Sequence, residues 1–477
     1  MNHTVNSYQE AMDFLHGRIN YERAAGEKLT SRHFKLDRMR KFLSLLKHPE
    51  SRSPAVHVAG TKGKGSTCVM IADMLSASGY SAGLFTSPHI NAFEERMRVN
   101  GVSPTHAECV MLVNQLIPVI EQLDAESSAT RPTYFEIATA MAWLFFQSKN
   151  TQLNVLEVGL GGRLDSTNVC HPELTIITNI SRDHTHLLGD TPAEIAREKA
   201  GILKPGIPVI CGVANPEAKA EIERIARKKN CEIIQLGRDI QYRYQAPTTR
   251  GGLPGTVDVE TPFRKHDSVG LPLAGKHQAA NAALAITAID WMAANGHTIP
   301  ENAIAIGMSS VRWPLRMERL QKSPTVIVDA AHNESSVVAL CNALREEVSA
   351  NRRILLFSVC KDKDVEAMAR ALYPHFDEVV LTSFVGNPRA MPAKMLYDRT
   401  KHYLTGSAHV TGNPEHAWEK ARALSKETDV ICVTGSFFLA AEFRNLFRST
   451  EKISSDNPSE SIPPEVVLDC PQSTIQP

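Results

Sequence analysis

The chain has no surplus of either charge: 52 Lys and Arg stand against 52 Asp and Glu in 477 residues. That balance gives no basic patch for nucleic acid, and no acidic tract stands out. No apolar run is long enough to span a bilayer. Met1 to Glu10 is polar and lacks the apolar centre of a signal peptide. The nine cysteines are scattered, with no C-x-x-C spacing, which suits free thiols in a reducing cytosol. What is left is a cytoplasmic chain with neither a nucleic-acid nor a membrane partner. Its length implies two domains, with room for a third.

What the sequence does have is a phosphate loop. An apolar run containing Val56 and Val58 enters Gly60-Thr61-Lys62-Gly63-Lys64-Gly65-Ser66-Thr67, with three glycines in six residues, and Cys68 to Leu75 then has the pattern of a helix. Strand, glycine loop with lysine, and helix is the layout that cradles phosphates. Glycines let backbone N–H groups turn toward an anion without Cβ clashes. The helix N-terminus adds free N–H groups and a positive dipole end, and Lys64 adds a mobile point charge. The loop departs from the usual form. Gly65 stands where Ser or Thr follows the Gly-Lys pair, and Val58 stands where the first glycine falls. The hydroxyl for magnesium has to come from elsewhere. Cys68 sits at a buried-looking helix position, which fits packing.

Upstream, Ser7 is placed to cap a helix through Gly17, and Lys35 to Leu46 has apolar residues at helical spacing. Asn20 to Arg23 between them is a polar-aromatic loop. Downstream, Ser81 to Thr86 is a second strand running into Ser87-Pro88-His89. A hydroxyl there sits where α/β sheets place ligands, although a turn residue before proline explains Ser87 equally well. Thr105 to Leu123 and Thr133 to Phe146 are helices, and Glu136 favours the dipole of the second. Asn154 to Gly159 is a buried-type strand interrupted by one carboxylate. Glu157 therefore needs a metal, a proton or a cation, and Arg163 is a competing ion-pair partner. Gly159 to Asn168 is a second glycine-rich loop. Leu174 to Ile180 is a strand feeding Asp183, His184 and His186, a metal or phosphate constellation. Thr191, Pro192 and Glu194 open a helix as cap, first-position proline and capping box. On spacing alone, Lys199 in that helix is an ordinary helix lysine.

Pro208 to Cys211 is a strand, Pro216 to Lys229 a helix, and Gln241 to Asp267 a set of short strands and loops. A long apolar helix follows Leu271, with His277, Gln278 and Asn281 sharing a face in its first turns. A boundary falls near Val311 to Arg316, and α/β alternation restarts. Strands at Thr325 to Asp329, Arg353 to Val359, Phe376 to Thr382 and Asp429 to Ser436 end in polar residues, as a binding edge requires. From Ser449 onward Ser, Glu and Pro dominate, which predicts a disordered tail. The expected division is 1–311, 312–448 and a tail at 449–477.

Five stretches in order resemble the folylpolyglutamate synthase/dihydrofolate synthase family of the Mur ligase superfamily. They are the Gly60 to Ser66 loop with Thr86-Ser87-Pro88-His89, the Leu156 to Asp165 run, Asp183-His184, Glu198-Lys199-Ala200-Gly201-Ile202, and Asp329-Ala330-Ala331-His332-Asn333. The resemblance implies an α/β protein: a P-loop ATPase domain with a mainly parallel sheet, then a smaller Rossmann-like α/β domain that closes over ATP. It implies ATP-dependent addition of L-glutamate to a folate or to dihydropteroate through an acyl phosphate, by a monomer.

By the same resemblance, Gly60, Thr61, Lys62, Gly63, Lys64, Gly65 and Ser66 cradle the triphosphate. Ser87, Glu157 and His184 match magnesium ligands. Lys199 matches a lysine that is carbamylated and holds a second metal ion, and the family pattern leaves room for a monovalent cation. Asn281, Arg316 and Asp329 match nucleotide contacts. Lys64, Lys199 and His332 match catalytic positions. Thr133, Tyr134, Phe135 and Leu164 match the pterin pocket, and Ser436 a glutamate contact. Three residues depart from the pattern: Lys62 stands where Asn is usual, Ala330 where Gly is usual, and Leu315 where Gly is usual in Trp-Pro-Gly-Arg. Two other functions remain open at this stage: a Mur-type ligase for a different carboxylate, and an ATP-binding protein without catalysis.

Overall fold

The computed structural model describes residues 4–20, 36–183, 185–247 and 254–455. Most of the loop expected at Asn20 to Arg23, and His184, lie outside them. The first domain is built on seven strands: β1 (Ala55–Ala59), β2 (Ala82–Phe85), β3 (Met97–Val99), β4 (Leu153–Glu157), β5 (Pro172–Ile177), β6 (Val209–Cys211) and β7 (Ile233–Gln235). They lie in the order β3-β2-β4-β1-β5-β6-β7, all parallel except the edge strand β3. Every residue of β1 is buried, as a central strand covered on both faces requires.

The two-residue period of β1 divides the core. Val56 and Val58 pack with the helices Lys64–Ala77, Lys276–Ala294 and Ala303–Ser310. Ala55 belongs to the opposite face, under the helices His106–Glu126 and Tyr134–Ser148. The helix Lys276–Ala294 is apolar almost all round and is buried accordingly. The short strands expected from Gln241 onward are β8 (Gln241–Gln245), β9 (Thr256–Glu260) and β10 (Lys265–Gly270), paired as a three-stranded antiparallel sheet. Ser7 caps the helix Tyr8–His16, and Thr191 closes a capping box with Glu194, both as the sequence predicts.

The second domain carries β11 (Glu318–Lys322), β12 (Thr325–Val328), β13 (Arg353–Phe357), β14 (Glu378–Leu381), β15 (Ser407–Val410) and β16 (Val430–Thr434), ordered β11-β12-β16-β13-β14-β15. Only β11 is antiparallel to its neighbour. The two edge strands are absent from the sequence expectation. Glu-Arg-Leu-Gln-Lys and Ser-Ala-His-Val carry little apolar signal, because an edge strand is paired and covered less than a central one. The expected tail boundary at 449 also moves: the last helix, Phe437–Ser455, runs through it. Among the described residues no helix is long and apolar enough to cross a membrane.

Candidate active site

The register of the first sheet aligns its carboxyl ends. Val58 lies opposite Glu157 and Ile176, and Phe85 opposite Leu156. The segments that leave β1, β2, β4 and β5 therefore meet at one edge, where a parallel sheet receives its ligand. The phosphate loop leaves β1 there. Gly63 caps the following helix at φ 81, and a Cβ on it would lie 2.2 Å from Asn281 Oδ1. Glycine is required at that position by both backbone and neighbour.

Gly65 accounts for the irregular loop. A Cβ there would sit 2.7 Å from the Trp313 ring and 3.3 Å from Glu157 Oε2. The place of the usual hydroxyl is filled by a ring from the domain boundary and faced by a carboxylate. Trp313 is a contact that sequence reasoning missed, since it was visible only as a boundary residue.

Glu157, at the end of β4, is 5% exposed. Its Oε2 accepts the Ser87 backbone N–H at 3.1 Å, and Lys64 Nζ lies 3.9 Å from its Oε1. Burial pushes its carboxyl up, and Lys64 pulls it back. The competing ion pair is not formed: Arg163 pairs with Glu198, Nη2 to Oε1 at 3.0 Å. A buried carboxylate beside a phosphate loop, with one cation at that distance, fits a hard divalent ion that completes its shell with phosphate oxygens and water. Among the described residues no three His, Cys, Asp or Glu side chains cluster to hold a metal alone.

Lys199 does not behave as an ordinary helix lysine. It ends the helix Pro192–Lys199, is 4% exposed, and donates from Nζ to the Gly60 carbonyl at 2.8 Å. Burial, reinforced by the Lys64 charge, lowers its ammonium to about 7.

The second domain also meets this edge at a side chain of the loop. Lys62 Nζ donates to Asp183 Oδ2 at 2.9 Å and to His332 Nε2 at 3.0 Å. His332 Nδ1 lies 2.9 Å from the Ala330 carbonyl, which can only accept, so Nδ1 carries the proton and Nε2 the lone pair. Burial and the nearby Lys62 and Lys363 charges hold this imidazole neutral. Asp183 also accepts from Asn333 Nδ2 at 3.2 Å, with Lys363 Nζ 3.9 Å from its other oxygen.

The pterin-side candidates adjoin the same edge. Thr133 caps the helix Tyr134–Ser148 and shares its hydroxyl with Glu136, which pairs with Arg38 at 2.8 Å rather than serving only the dipole. Tyr134 is buried edge-on to Phe93, 5.8 Å between centroids. The Phe135 ring lies on Gly159, where a Cβ would meet it at 2.4 Å. Leu164 adjoins Asp165, which is held from below. Asp165 accepts the Leu160 N–H at 2.8 Å and the Thr167 hydroxyl, and Thr167 Oγ1 lies 2.9 Å from His57 Nε2. Since Thr167 donates to the carboxylate, it accepts from His57 Nε2–H. Sequence reasoning missed His57, although a titratable residue inside a fully buried strand is the signal that singled out Glu157.

Asn281 Nδ2 donates to Gln278 Oε1 at 2.9 Å, so two of the three residues expected to share a face do so. Asp329 accepts the backbone N–H groups of Met317 at 2.9 Å and Ala331 at 2.8 Å, joining the segment after the domain boundary to the His332 loop. Arg316 Nη1 donates to the Leu315 carbonyl at 3.1 Å. Ser436 is buried at the start of the last helix, its hydroxyl accepting the Phe438 N–H at 3.2 Å.

Residues 58–289 match the Mur ligase middle domain, and 315–437 the Mur ligase glutamate ligase domain. The chain is 36% identical over 440 residues to dihydrofolate synthase/folylpolyglutamate synthase of Bacillus subtilis (strain 168), spanning 92% of this chain and 98% of that one. The chain belongs to the folylpolyglutamate synthase/dihydrofolate synthase family. Its fold matches the crystal structure of Mycobacterium tuberculosis folylpolyglutamate synthase complexed with ADP and AMPPCP, with TM-score 0.83, 30% identity, and coverage of 92% of this chain and 98% of that one. It also matches a bifunctional folylpolyglutamate synthase/dihydrofolate synthase with Mn, AMPPNP and L-glutamate bound, with TM-score 0.78, 25% identity, and coverage of 94% and 100%. As a folylpolyglutamate synthase/dihydrofolate synthase family member, this chain is an ATP-dependent ligase that adds L-glutamate to a folate-type acid.

Proposed function

We propose that the ligase accepts tetrahydrofolate, dihydropteroate or both, and that its chemistry is divided between the phosphate loop and the His332 loop. A carboxylate is a poor electrophile, because its charge repels a nucleophile and oxide is a bad leaving group. Transfer of the γ-phosphoryl group of ATP to a carboxylate oxygen removes both obstacles. The amine of glutamate then attacks the acyl carbon, the C–O bond to phosphate breaks, and a proton leaves the nitrogen. Most of the rate has to come from holding these groups in line.

Gly60 to Ser66 and Lys64 hold the triphosphate in this reading, while Asn281, Arg316 and Asp329 hold the rest of the nucleotide. Tyr134, Phe135, Thr133 and Leu164 present the pterin, whose flat ring stacks on aromatic faces. Ser436 and His332 approach glutamate and the acyl phosphate from the second domain. Ser87, Glu157 and His184 would hold one magnesium ion and carbamylated Lys199 a second; bound there, the ions neutralise charge on the phosphoryl oxygens. The neutral amine that the lowered Lys199 ammonium favours is the form that combines with carbon dioxide. We further propose a cytoplasmic monomer. The described cysteines are all free thiols, as a reducing compartment keeps them.

The observation that carries the reading is the 3.0 Å contact between Lys62 and His332, which puts the glutamate-ligase domain on the phosphate loop. Phosphate release should require both a pteroate acceptor and glutamate. Equal ATP turnover without acceptor rules the reading out. Side-by-side turnover with dihydropteroate and tetrahydrofolate decides the acceptor.

A further inference from the structure

We propose that Lys62 is a positioning residue: through its bond to His332 it fixes the second domain's glutamate-facing loop at a set offset from the transferring phosphoryl group. The proposal rests on the division of labour given above, with the phosphoryl group at the phosphate loop and glutamate at the His332 loop.

An ammonium has three N–H donors. One goes to Asp183 Oδ2 at 2.9 Å and one to His332 Nε2 at 3.0 Å. Among the described residues Lys62 Nζ meets no further acceptor, so one donor is left for a phosphoryl oxygen. A single nitrogen of the phosphate loop thus touches both the segment that follows β5 and the second domain. His332 is fixed at both ring nitrogens, by its own Ala330 carbonyl and by Lys62. The bond to Asp183 keeps the lysine from following phosphate out of place, and Asn333, beside His332, and Lys363, from one further segment of the second domain, are drawn to the same carboxylate. An asparagine at this position has a shorter side chain that does not reach across to His332. A phosphate loop needs only Lys64 as its mobile cation. The second lysine instead spans the cleft.

The consequence is coupling. While His332 and glutamate are held against the acyl phosphate, the amine reaches the acyl carbon before water does. When that registration loosens, water attacks instead, the C–O bond to phosphate breaks, and the original carboxylate returns with inorganic phosphate released. ADP then forms without amide.

The test uses the full chain with ATP, a pteroate acceptor and glutamate. It measures ADP and amide together for wild type, Lys62→Asn, Lys62→Arg, His332→Ala and the double variant Lys62→Asn/His332→Ala. A lost charge-assisted hydrogen bond predicts amide formation about 10- to 100-fold slower in Lys62→Asn. The ADP-to-amide ratio should rise above that of wild type, and Lys62→Arg should stay within a few-fold of wild type. The double variant should be no worse than the poorer single one, since both break the same bond. If Lys62→Asn only raises KM for ATP, with the ratio unchanged and the effects of the two substitutions multiplying, Lys62 is a phosphate contact alone, without a positioning role, and the proposal falls. Lys62→Gln repeats the comparison should Lys62→Asn not fold. A wild-type chain that splits ATP but forms no amide overturns the ligase reading itself, a result separate from any behaviour of the variants.

Discussion

Lys199 Nζ donates to the Gly60 carbonyl oxygen at 2.8 Å, tying the end of the helix Pro192–Lys199 to the start of the phosphate loop. A lysine that is 4% exposed spends solvation energy to be there, and burial lowers its ammonium to about 7. A purely structural amine is an expensive way to hold one carbonyl.

Lys199→Ala should therefore lose ligase activity by roughly 10- to 100-fold or more, the range seen when a metal-site partner is removed. Short carboxylates should restore part of it by entering the space left by the side chain. Isotope-labelled bicarbonate should give a carbamate resonance in wild type that the variant lacks. No rescue at any concentration, together with no carbamate signal, would count against the modification and leave Lys199 as a loop anchor.

Gly65→Ser would restore the usual spelling of the loop, yet it should harm the enzyme. Its Cβ would stand 2.7 Å from the Trp313 ring. Overpacking of this kind costs about 1–3 kcal/mol, and the strain falls on the domain boundary. We expect weaker ATP binding and a lower Tm, with Trp313→Ala in the same chain relieving part of the stability loss. A Gly65→Ser enzyme with undiminished kcat/KM for ATP would show that the ring gives way freely.

The parts of this site that were legible in the sequence share one property: their function needs a residue type that is costly where it sits. Glu157 announced itself as a carboxylate inside a buried strand, and Gly60, Gly63 and Gly65 as glycines where a strand passes into a helix. Lys199 did not, because a helix lysine is cheap when exposed and its burial depends on how the helix end packs. Trp313 and Lys363 were illegible for a related reason. Their roles depend on which segments of the second domain face the first, and no local periodicity records that. The central strands of both sheets were visible as apolar runs, whereas β11 and β15 at the edges were not.

Leu315 tests how two opposed local terms balance. It adopts φ 60, a conformation that favours glycine, and it is fully buried with Val326, Val328 and Ile431. Leu315→Gly would relieve roughly 1–2 kcal/mol of backbone strain but remove a buried leucine worth about 2–5 kcal/mol. The loss is larger, so Tm should fall, and with it the fixed position of Arg316. A rise in Tm would mean that the side chain contributes less than the strain it imposes.

His57 supplies a pH signature. It is fully buried in β1, and burial pushes its imidazole from 6.5 down to about 3. Between those values the unfolded chain binds a proton that the folded chain does not. Stability contributed by the neutral ring is thus present above pH 6.5 and is lost as pH falls toward 3. The slope is up to about 1.4 kcal/mol per pH unit. Glu157 and Asp165, shifted upward by burial, act in the opposite direction in acid, so the total curve mixes signs. His57→Gln separates them, because its amide can still donate to Thr167 but does not titrate. Urea unfolding at several pH values should show wild type losing stability faster than His57→Gln from pH 6.5 downward, with the two curves parallel above it. If they stay parallel in acid as well, His57 is protonated in the fold, and the Nε2–H donation to Thr167 no longer fixes its neutral tautomer.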